Sequence, residues 1–169
     1  MSDYLSEKHT FLGEKLYLLV LKCARFLGSQ IWLWVVLNLT WGILGTLIGL
    51  LTALVVTLLP IKKKYTRERM VIRITYGDNW GGLSGVFFIL VADNMGDEWT
   101  EHTIKHEIGH TFQNAVLGPL YPFIVIIPSV VRYQILNFRS KRGKPNPPYD
   151  GVWFEASATD AGTEFFELS

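Results

Sequence analysis

The pattern of hydrophobic and polar positions divides the chain near residue 60. Residues 11–27 are apolar but carry three basic side chains, which is typical of an amphipathic helix at a membrane surface. Residues 31–59 contain no charged side chain, and about 20 apolar residues suffice to cross a bilayer. The pattern therefore predicts an N-terminal anchor over residues 1–60, either one transmembrane helix or a helical hairpin.

Small and polar residues inside this apolar run predict how it folds. Asn38, Thr40 and Gly42 mark a bend, so that the first helix of a hairpin would run without a break from residue 11 to residue 37. Small residues recur every four positions at 45, 49 and 53, which gives a smooth stripe for close helix packing.

The pattern changes after Pro60. "MVIRITYG" alternates in polarity and "LSGVFFILVA" is apolar on both faces, so we expect two strands of a small sheet or a hairpin, with "GDNWGG" as the turn. A helix is predicted over 97–117, stopped by Gly118 and Pro119. Three prolines interrupt the apolar segment 119–131, which favours a re-entrant or interfacial position. A short helix over 152–167 follows, and the fold class predicted for the chain is an α+β membrane protein.

Composition agrees with membrane association. Hydrophobic residues make up 49% of the 169 positions, and the formal net charge is only +1, which argues against a nucleic-acid partner. A basic cluster at 62–69 predicts that the domain over 61–169 lies on the cytoplasmic side of a membrane. Cys23 is the one cysteine, so a metal site in this chain must use histidine or carboxylate ligands.

The stretch "TIKHEIGHTF" contains such ligands. On a helix, His106 and His110 project from one face, one turn apart, where both imidazoles reach a single metal ion. Glu107 follows the first histidine, where its carboxylate can take a proton from water. The spacing predicts a zinc site with Glu107 as the catalytic base, whereas two histidines without a metal would be the plainer interpretation.

This stretch resembles the signature of the zincin metallopeptidases, in which a helix carrying His-Glu-x-x-His follows an apolar strand. The metzincin branch would need glycine at 113 and histidine at 116, but Gln113 and Val116 stand there. "WFEASATDAG" resembles the gluzincin pattern, which implies Glu155 as the third ligand and Asp160 as a residue that steadies a ligand histidine. Asp160 lies five residues after Glu155, where the family has four.

An alternative third ligand is Asp150. "NPPYDG" resembles a segment of the site-two intramembrane proteases, in which the aspartate binds the metal, but those enzymes place the motif helix within a larger bundle of spans. The stretch "TIKHEIGHTFQNAVLGPLY" is similar to small bacterial membrane proteins with "HEYGH…LGPLY", and this resemblance supports Glu155.

The resemblance implies a minimal zincin-like domain that hydrolyses peptide bonds near the bilayer surface. Tyr149 or His102 is a candidate second electrophile, and the strand at 85–92 is expected to pair with an extended peptide. Two alternatives remain open. One is a non-catalytic membrane protein of immunity or scaffold type with a structural or degenerate metal site, and the other is a hydrolase for non-peptide amides.

Overall fold

The computed structural model describes residues 11–77, 81–92 and 95–167. Within these ranges the chain has the predicted α+β class, with helices that contact a small sheet. The elements are α1 (Phe11–Ser29), α2 (Ile31–Leu39), α3 (Ile43–Leu58), β1 (Lys63–Glu68), β2 (Val71–Tyr76), β3 (Gly82–Ser84), β4 (Phe88–Ala92), α4 (Asp97–Leu117), a 3₁₀ turn (Gly118–Leu120), a π-helical turn (Pro122–Ile126), α5 (Ile127–Lys141) and α6 (Trp153–Glu167).

Helix α4 lies at the centre of the molecule. It packs along α6, contacts α1 and α2, and lies against β3 and β4. Ile108 and Phe112 on α4 are fully buried and share one core cluster with Ile89 of β4 and with Val20 of α1. Nearly every residue of α4 from Thr103 onward is buried. The side chains of the His-Glu-x-x-His stretch are therefore fixed by packing on several sides, and α1 belongs to the same core.

Glycines let α6 approach α4 closely. A Cβ at Gly109 of α4 would collide with the backbone carbonyl oxygen of Ala158, and a Cβ at Gly162 of α6 would collide with that of Lys105. Small residues on both helices thus permit the close packing of α6 on α4.

The sheet has the order β1-β2-β4-β3. The two predicted strands belong to one small sheet, as one of the two predictions had it, and they pair parallel instead of forming a hairpin with each other. The basic segment expected beside a membrane is strand β1, paired antiparallel with β2 across a turn at Arg69. The apolar run expected to be one strand is divided by a turn at 85–87, so that β3 pairs antiparallel with β4. β4 also pairs parallel with β2 and is therefore a central strand. The predicted turn at 77–82 lies partly outside the described residues.

The N-terminal helices are shorter than predicted. The expected helix from 11 to 37 is broken at Gln30, where α1 and α2 meet at 118°. The expected single span over 31–59 is also broken, between α2 and α3. No helix in the described ranges is by itself long and apolar enough to cross a bilayer. In two cases, α1 with α2 and α4 with α5, two consecutive helices meet that test of length and composition when they are taken together.

The break between α2 and α3 has a physical cause in α4. The Asn114 side-chain amide donates hydrogen bonds to Asn38 Oδ1 (2.7 Å) and to the backbone oxygen of Gly42 (2.9 Å). The Thr46 hydroxyl donates to the backbone oxygen of Asn38 (2.7 Å). The backbone oxygen of Asn38, which a continuous helix would satisfy internally, is thus satisfied by Thr46, and α4 supplies further contacts to the bend. The bend predicted near Asn38 and Gly42 is confirmed.

The segment 119–131 is helical but interrupted, because it passes from the 3₁₀ turn through the π-helical turn into α5. Its predicted re-entrant or interfacial position stays a prediction. Pro119 and Pro122 lie in the first turns of the 3₁₀ and π-helical segments, and Pro128 lies in the first turn of α5. Proline is tolerated there because the first amides of a helix have no intrahelical acceptor. The chain turns by 116° between α4 and the helical segment Pro122–Lys141, which we call the helical arm.

Candidate metal centre

Helices α4 and α6 bring three ligand-type side chains to one point. The Nε2 atoms of His106 and His110 lie 3.1 Å apart. Glu155, in the first turn of α6, places Oε2 3.2 Å from Nε2 of His106 and 3.5 Å from Nε2 of His110. Zinc bonds of about 2.0–2.2 Å in tetrahedral geometry separate ligand atoms by roughly 3.3–3.6 Å. The three side chains therefore lie close to the spacing of a zinc ligand set.

His110 is oriented through its second ring nitrogen. Its Nδ1 lies 2.7 Å from Oε1 of Gln113, one turn further along α4. The Gln113 amide nitrogen donates to Ser157 Oγ (2.8 Å) and to the backbone oxygen of Phe154 (2.5 Å), both on α6. Because that nitrogen is used as a donor, the Gln113 oxygen accepts from the Nδ1–H of His110. This assignment of the tautomer leaves the lone pair of Nε2 available to a metal.

His106 is oriented by Thr159 and not by the predicted Asp160. Nδ1 of His106 lies 2.8 Å from Oγ1 of Thr159. Thr159 follows Glu155 by four residues and so shares its helical face, whereas a fifth residue turns away. Asp160 instead accepts a hydrogen bond from the hydroxyl of Tyr17 on α1 (2.5 Å). The expected contact of Asp160 with a ligand histidine is therefore wrong, and the five-residue offset is the reason.

The chemistry of this donor set fits a cation. Glu155 is fully buried, and among the described residues neither of its carboxylate oxygens has a hydrogen-bond partner. Burial alone would raise the pKa of Glu155, but contacts with His106 and His110 hold it well below its usual range. Burial would lower the pKa of His110, but Glu155 raises it to about 9. The site therefore attracts positive charge, which a zinc ion would supply in place of a proton.

Glu107 lies beside the ligand set on α4. Gly82 of β3 approaches so closely that a Cβ there would collide with Oε1 of Glu107. Burial raises the pKa of Glu107, and the neighbouring histidines oppose this rise. A carboxylate with a raised pKa holds a proton more readily, so it can both accept a proton and return it. The position and the environment of Glu107 thus suit a general base.

Two adjoining cavities reach the ligand set, and together we call them the cleft. Their volumes are about 140 and 370 Å³. The smaller lies between β3 and α5, and the larger lies toward the start of α4. Both are lined by Gly82, His106, Glu107, Tyr133 and Tyr149. The site is therefore accessible from a channel that passes the β3 strand.

The other predicted residues lie around this cleft. Tyr149 lines both cavities, with its ring centroid 5.8 Å from that of His106. Burial and the charge of Glu155 raise the pKa of the Tyr149 phenol, which therefore stays protonated and can donate a hydrogen bond. His102 is exposed, and its ring centroid is 6.4 Å from that of His106. Asp150 lines the larger cavity but is not a member of the converging ligand set.

Three contributors to the site were not predicted from the sequence. Gln113 served only to exclude one zincin branch, although its i+3 spacing from His110 places both on one face. Thr159 could have been found in the same way, because it follows Glu155 by four residues and so lies on the same helical face. Strand β3 is only three residues long and begins with glycine, so its periodicity carries no signal. Beyond these residues the comparisons add no assignment, because no protein-family model, curated protein or solved structure matches the chain.

Proposed function

We propose that this protein is a membrane-associated, zinc-dependent metallopeptidase that hydrolyses peptide bonds near a bilayer surface. One observation carries the proposal. The buried side chains of His106, His110 and Glu155 converge beside Glu107, and the two histidines and Glu107 line the cleft. Structural zinc sites are usually closed by four protein ligands, whereas catalytic sites keep one position open. The described residues offer three ligands, which favours the enzyme over a non-catalytic metal protein.

Each side chain of the site has a distinct role in this proposal. His106, His110 and Glu155 would hold zinc, which when bound would polarise the attacking water and the scissile carbonyl. Glu107 accepts the proton of the attacking water and delivers it to the amine nitrogen as the carbon–nitrogen bond breaks. Tyr149 donates its phenolic hydrogen bond to the carbonyl oxygen while negative charge develops there.

The substrate strand is assigned to β3. The sequence predicted that the strand at 85–92 would pair with a peptide, but β4 is flanked by β2 and β3. β3 ends the strand order, and its three residues line the smaller cavity of the cleft. An extended peptide would pair with the backbone of β3 and pass the Glu107 carboxylate. The prediction of strand pairing therefore moves from β4 to β3.

Membrane association rests on the exposed apolar side chains of the N-terminal helices. Trp32 on α2 is 65% exposed, and Leu51 and Leu58 on α3 are 62% and 75% exposed. Continuous apolar surfaces of this kind are rare on monomeric proteins in water. We propose that α2 and α3 enter the bilayer as a bent pair, held to α4 by the Asn114 contacts. The cytoplasmic orientation of the site stays a prediction.

The proposal is tested by zinc content and peptide cleavage measured on the same purified protein. We expect about one zinc per chain in the wild type, and loss of stoichiometric zinc in His106→Ala and His110→Ala. Glu107→Gln should keep zinc and lose cleavage, because an amide does not accept the proton. Cleavage is read by mass spectrometry of a mixture of unlabelled peptides.

The two alternatives give different results in this experiment. Full zinc retention in both histidine variants would end the metal proposal. Zinc binding without any cleavage that depends on Glu107 would favour the non-catalytic alternative. Release of small acyl groups from non-peptide amides, with the peptides left intact, would change the substrate class.

A further inference from the structure

Helix α5 projects from the core. None of its 15 residues is buried. Its main contacts within the described residues are with the preceding π-helical turn and with the loop that returns to α6. Arg132 Nη2 donates to the backbone oxygen of Pro148 (2.6 Å), and Arg139 Nη2 donates to that of Pro145 (2.7 Å). One face of α5 is thus held by the loop, and the adjoining face, on which Val131 and Ile135 border the groove between helix and loop, is exposed.

The exposed face carries a continuous apolar stripe. Phe123, Ile127, Val131, Ile135 and Phe138 follow one another at intervals of three or four residues, so they share one side of the helical arm. Each is more than half exposed. An apolar stripe of this length on a helix without buried residues requires a partner to cover it.

The charges around the stripe have a single sign. Between Glu107 and Asp150 the sequence contains five basic residues and no acidic residue. Lys141 and Arg142 lie three and four residues after Phe138, on the side of the stripe, and both are exposed. The Arg142 guanidinium lies 4.0 Å from the ring centroid of Phe138. Lys144 follows in the exposed loop.

Resting on the proposed function, we infer that this stripe and its basic end dock on a bilayer surface that contains anionic phospholipid. The apolar side chains would enter the boundary between headgroups and acyl chains, and the lysine and arginine side chains would reach the phosphates. Each basic residue near such a surface raises partitioning by about fivefold. A uniformly cationic rim complements anionic headgroups, and the stripe supplies the area that inserts.

The docked position explains how the cleft would meet its substrate. Val130 is half-exposed next to the stripe and also lines the smaller cavity. Ser129 and Tyr133 of the same helix line that cavity too. Lipid against the stripe would therefore border the mouth of the cleft. The substrates admitted would be peptide segments that emerge at an anionic membrane surface.

The test uses the full chain with one reporter on the stripe. Ile135→Cys in a Cys23→Ser background carries a fluorescent label, and the protein is reconstituted in phosphatidylcholine vesicles with or without phosphatidylglycerol. With phosphatidylglycerol we expect quenching by lipid brominated in its acyl chains and protection from aqueous iodide. A triple variant, which combines Lys141→Gln, Arg142→Gln and Lys144→Gln, should weaken this immersion. We expect it to require more than ten times the phosphatidylglycerol content that the wild type requires for the same immersion of the label.

A charge-matched control removes Lys62, Lys64 and Arg67 at the β1 edge of the sheet, each by replacement with glutamine, and should leave the label immersed. Equal loss in this control, equal immersion without phosphatidylglycerol, or a label open to iodide in both vesicles would overturn the inference. Zinc content and cleavage of a soluble peptide are measured on the same samples. Their absence would count against the proposed function alone, since label immersion does not depend on zinc.

Discussion

At the scale of single residues, the site depends on which nitrogen of each imidazole carries the proton. Gln113 and Thr159 take the Nδ1 side of His110 and His106, so both Nε2 atoms face Glu155. A carboxylate and two imidazole lone pairs repel one another unless a cation lies between them. The supporting residues therefore contribute to metal affinity without touching the metal.

Thr159 allows this contribution to be measured. Thr159→Val keeps the side-chain shape but removes the hydroxyl from Nδ1 of His106. We expect zinc affinity to fall by about 10-fold or more, as is typical when such a partner is lost. Competition with a chelator of known affinity measures the change. Thr159→Ser keeps the hydroxyl and should stay near the wild type; unchanged affinity in the valine variant would show that Thr159 does not orient the ligand.

The third ligand gives a second prediction at this scale. Glu155→Gln should lose stoichiometric zinc because the buried ligand set loses its negative charge. Asp150→Asn should keep it, because Asp150 lies in the cavity wall away from the converging atoms. Metal analysis of both purified variants decides the question. Zinc lost from Asp150→Asn and retained in Glu155→Gln would reverse the assignment.

At the scale of elements, the ligand set exists because α4 and α6 approach so closely that only glycine fits at their points of contact. His106 and His110 come from one helix and Glu155 from the other, so a small separation of the helices would part the ligands. Gly109 lies between the two histidines, where its Cα faces the carbonyl of Ala158. The close contact of the helices and the metal site are therefore one structural feature.

Gly109→Ala tests this feature. The added methyl meets a backbone carbonyl that cannot rotate away, and overpacking of this kind costs about 3 kcal/mol. The gain of about 1 kcal/mol in helix propensity offsets part of it. We expect the free energy of unfolding to fall by about 2 kcal/mol and zinc affinity to fall with it. Denaturant titration and chelator competition measure the two quantities.

The matched control is Gly28→Ala on α1, where the new methyl would meet only the ring of Phe165, at 3.1 Å. That ring can shift, so stability should stay within about 1 kcal/mol of the wild type. Equal effects of the two substitutions would show that the α4–α6 approach has no special role.

The elements also show what the sequence could predict. Helix α4 was predicted from its length and its Gly118-Pro119 stop, and the histidine spacing followed from the helix. The break after Leu39 was predicted from Asn38, Thr40 and Gly42, but its support by Asn114, which lies far along the chain, was not. The break at Gln30 was missed because the expected helix was continued across the short polar step at 28–30. Strand β1 was missed because its lysines resemble a membrane flank, whereas an edge strand tolerates charge.

At the scale of the whole molecule, one zinc ion would join parts of the chain that are distant in sequence. α4 carries two ligands and contacts α1, α2 and the sheet, while α6 carries the third and packs on α1 and α4. A ligand that binds only the folded state stabilises it in proportion to the logarithm of its concentration over Kd. Metal binding should therefore be measurable as a change in the free energy of unfolding of the entire fold.

The last prediction follows from this linkage. Free zinc at about 100 times Kd should stabilise the protein by about 2.7 kcal/mol, because the unfolded chain does not assemble the three ligands. For a chain of this size, that corresponds to a Tm higher by roughly 5–10 °C than after removal of metal by a chelator. Thermal unfolding in detergent, before and after zinc is restored, measures the shift. His110→Ala should show no zinc-dependent shift, and an equal shift in that variant would place the bound zinc elsewhere on the molecule.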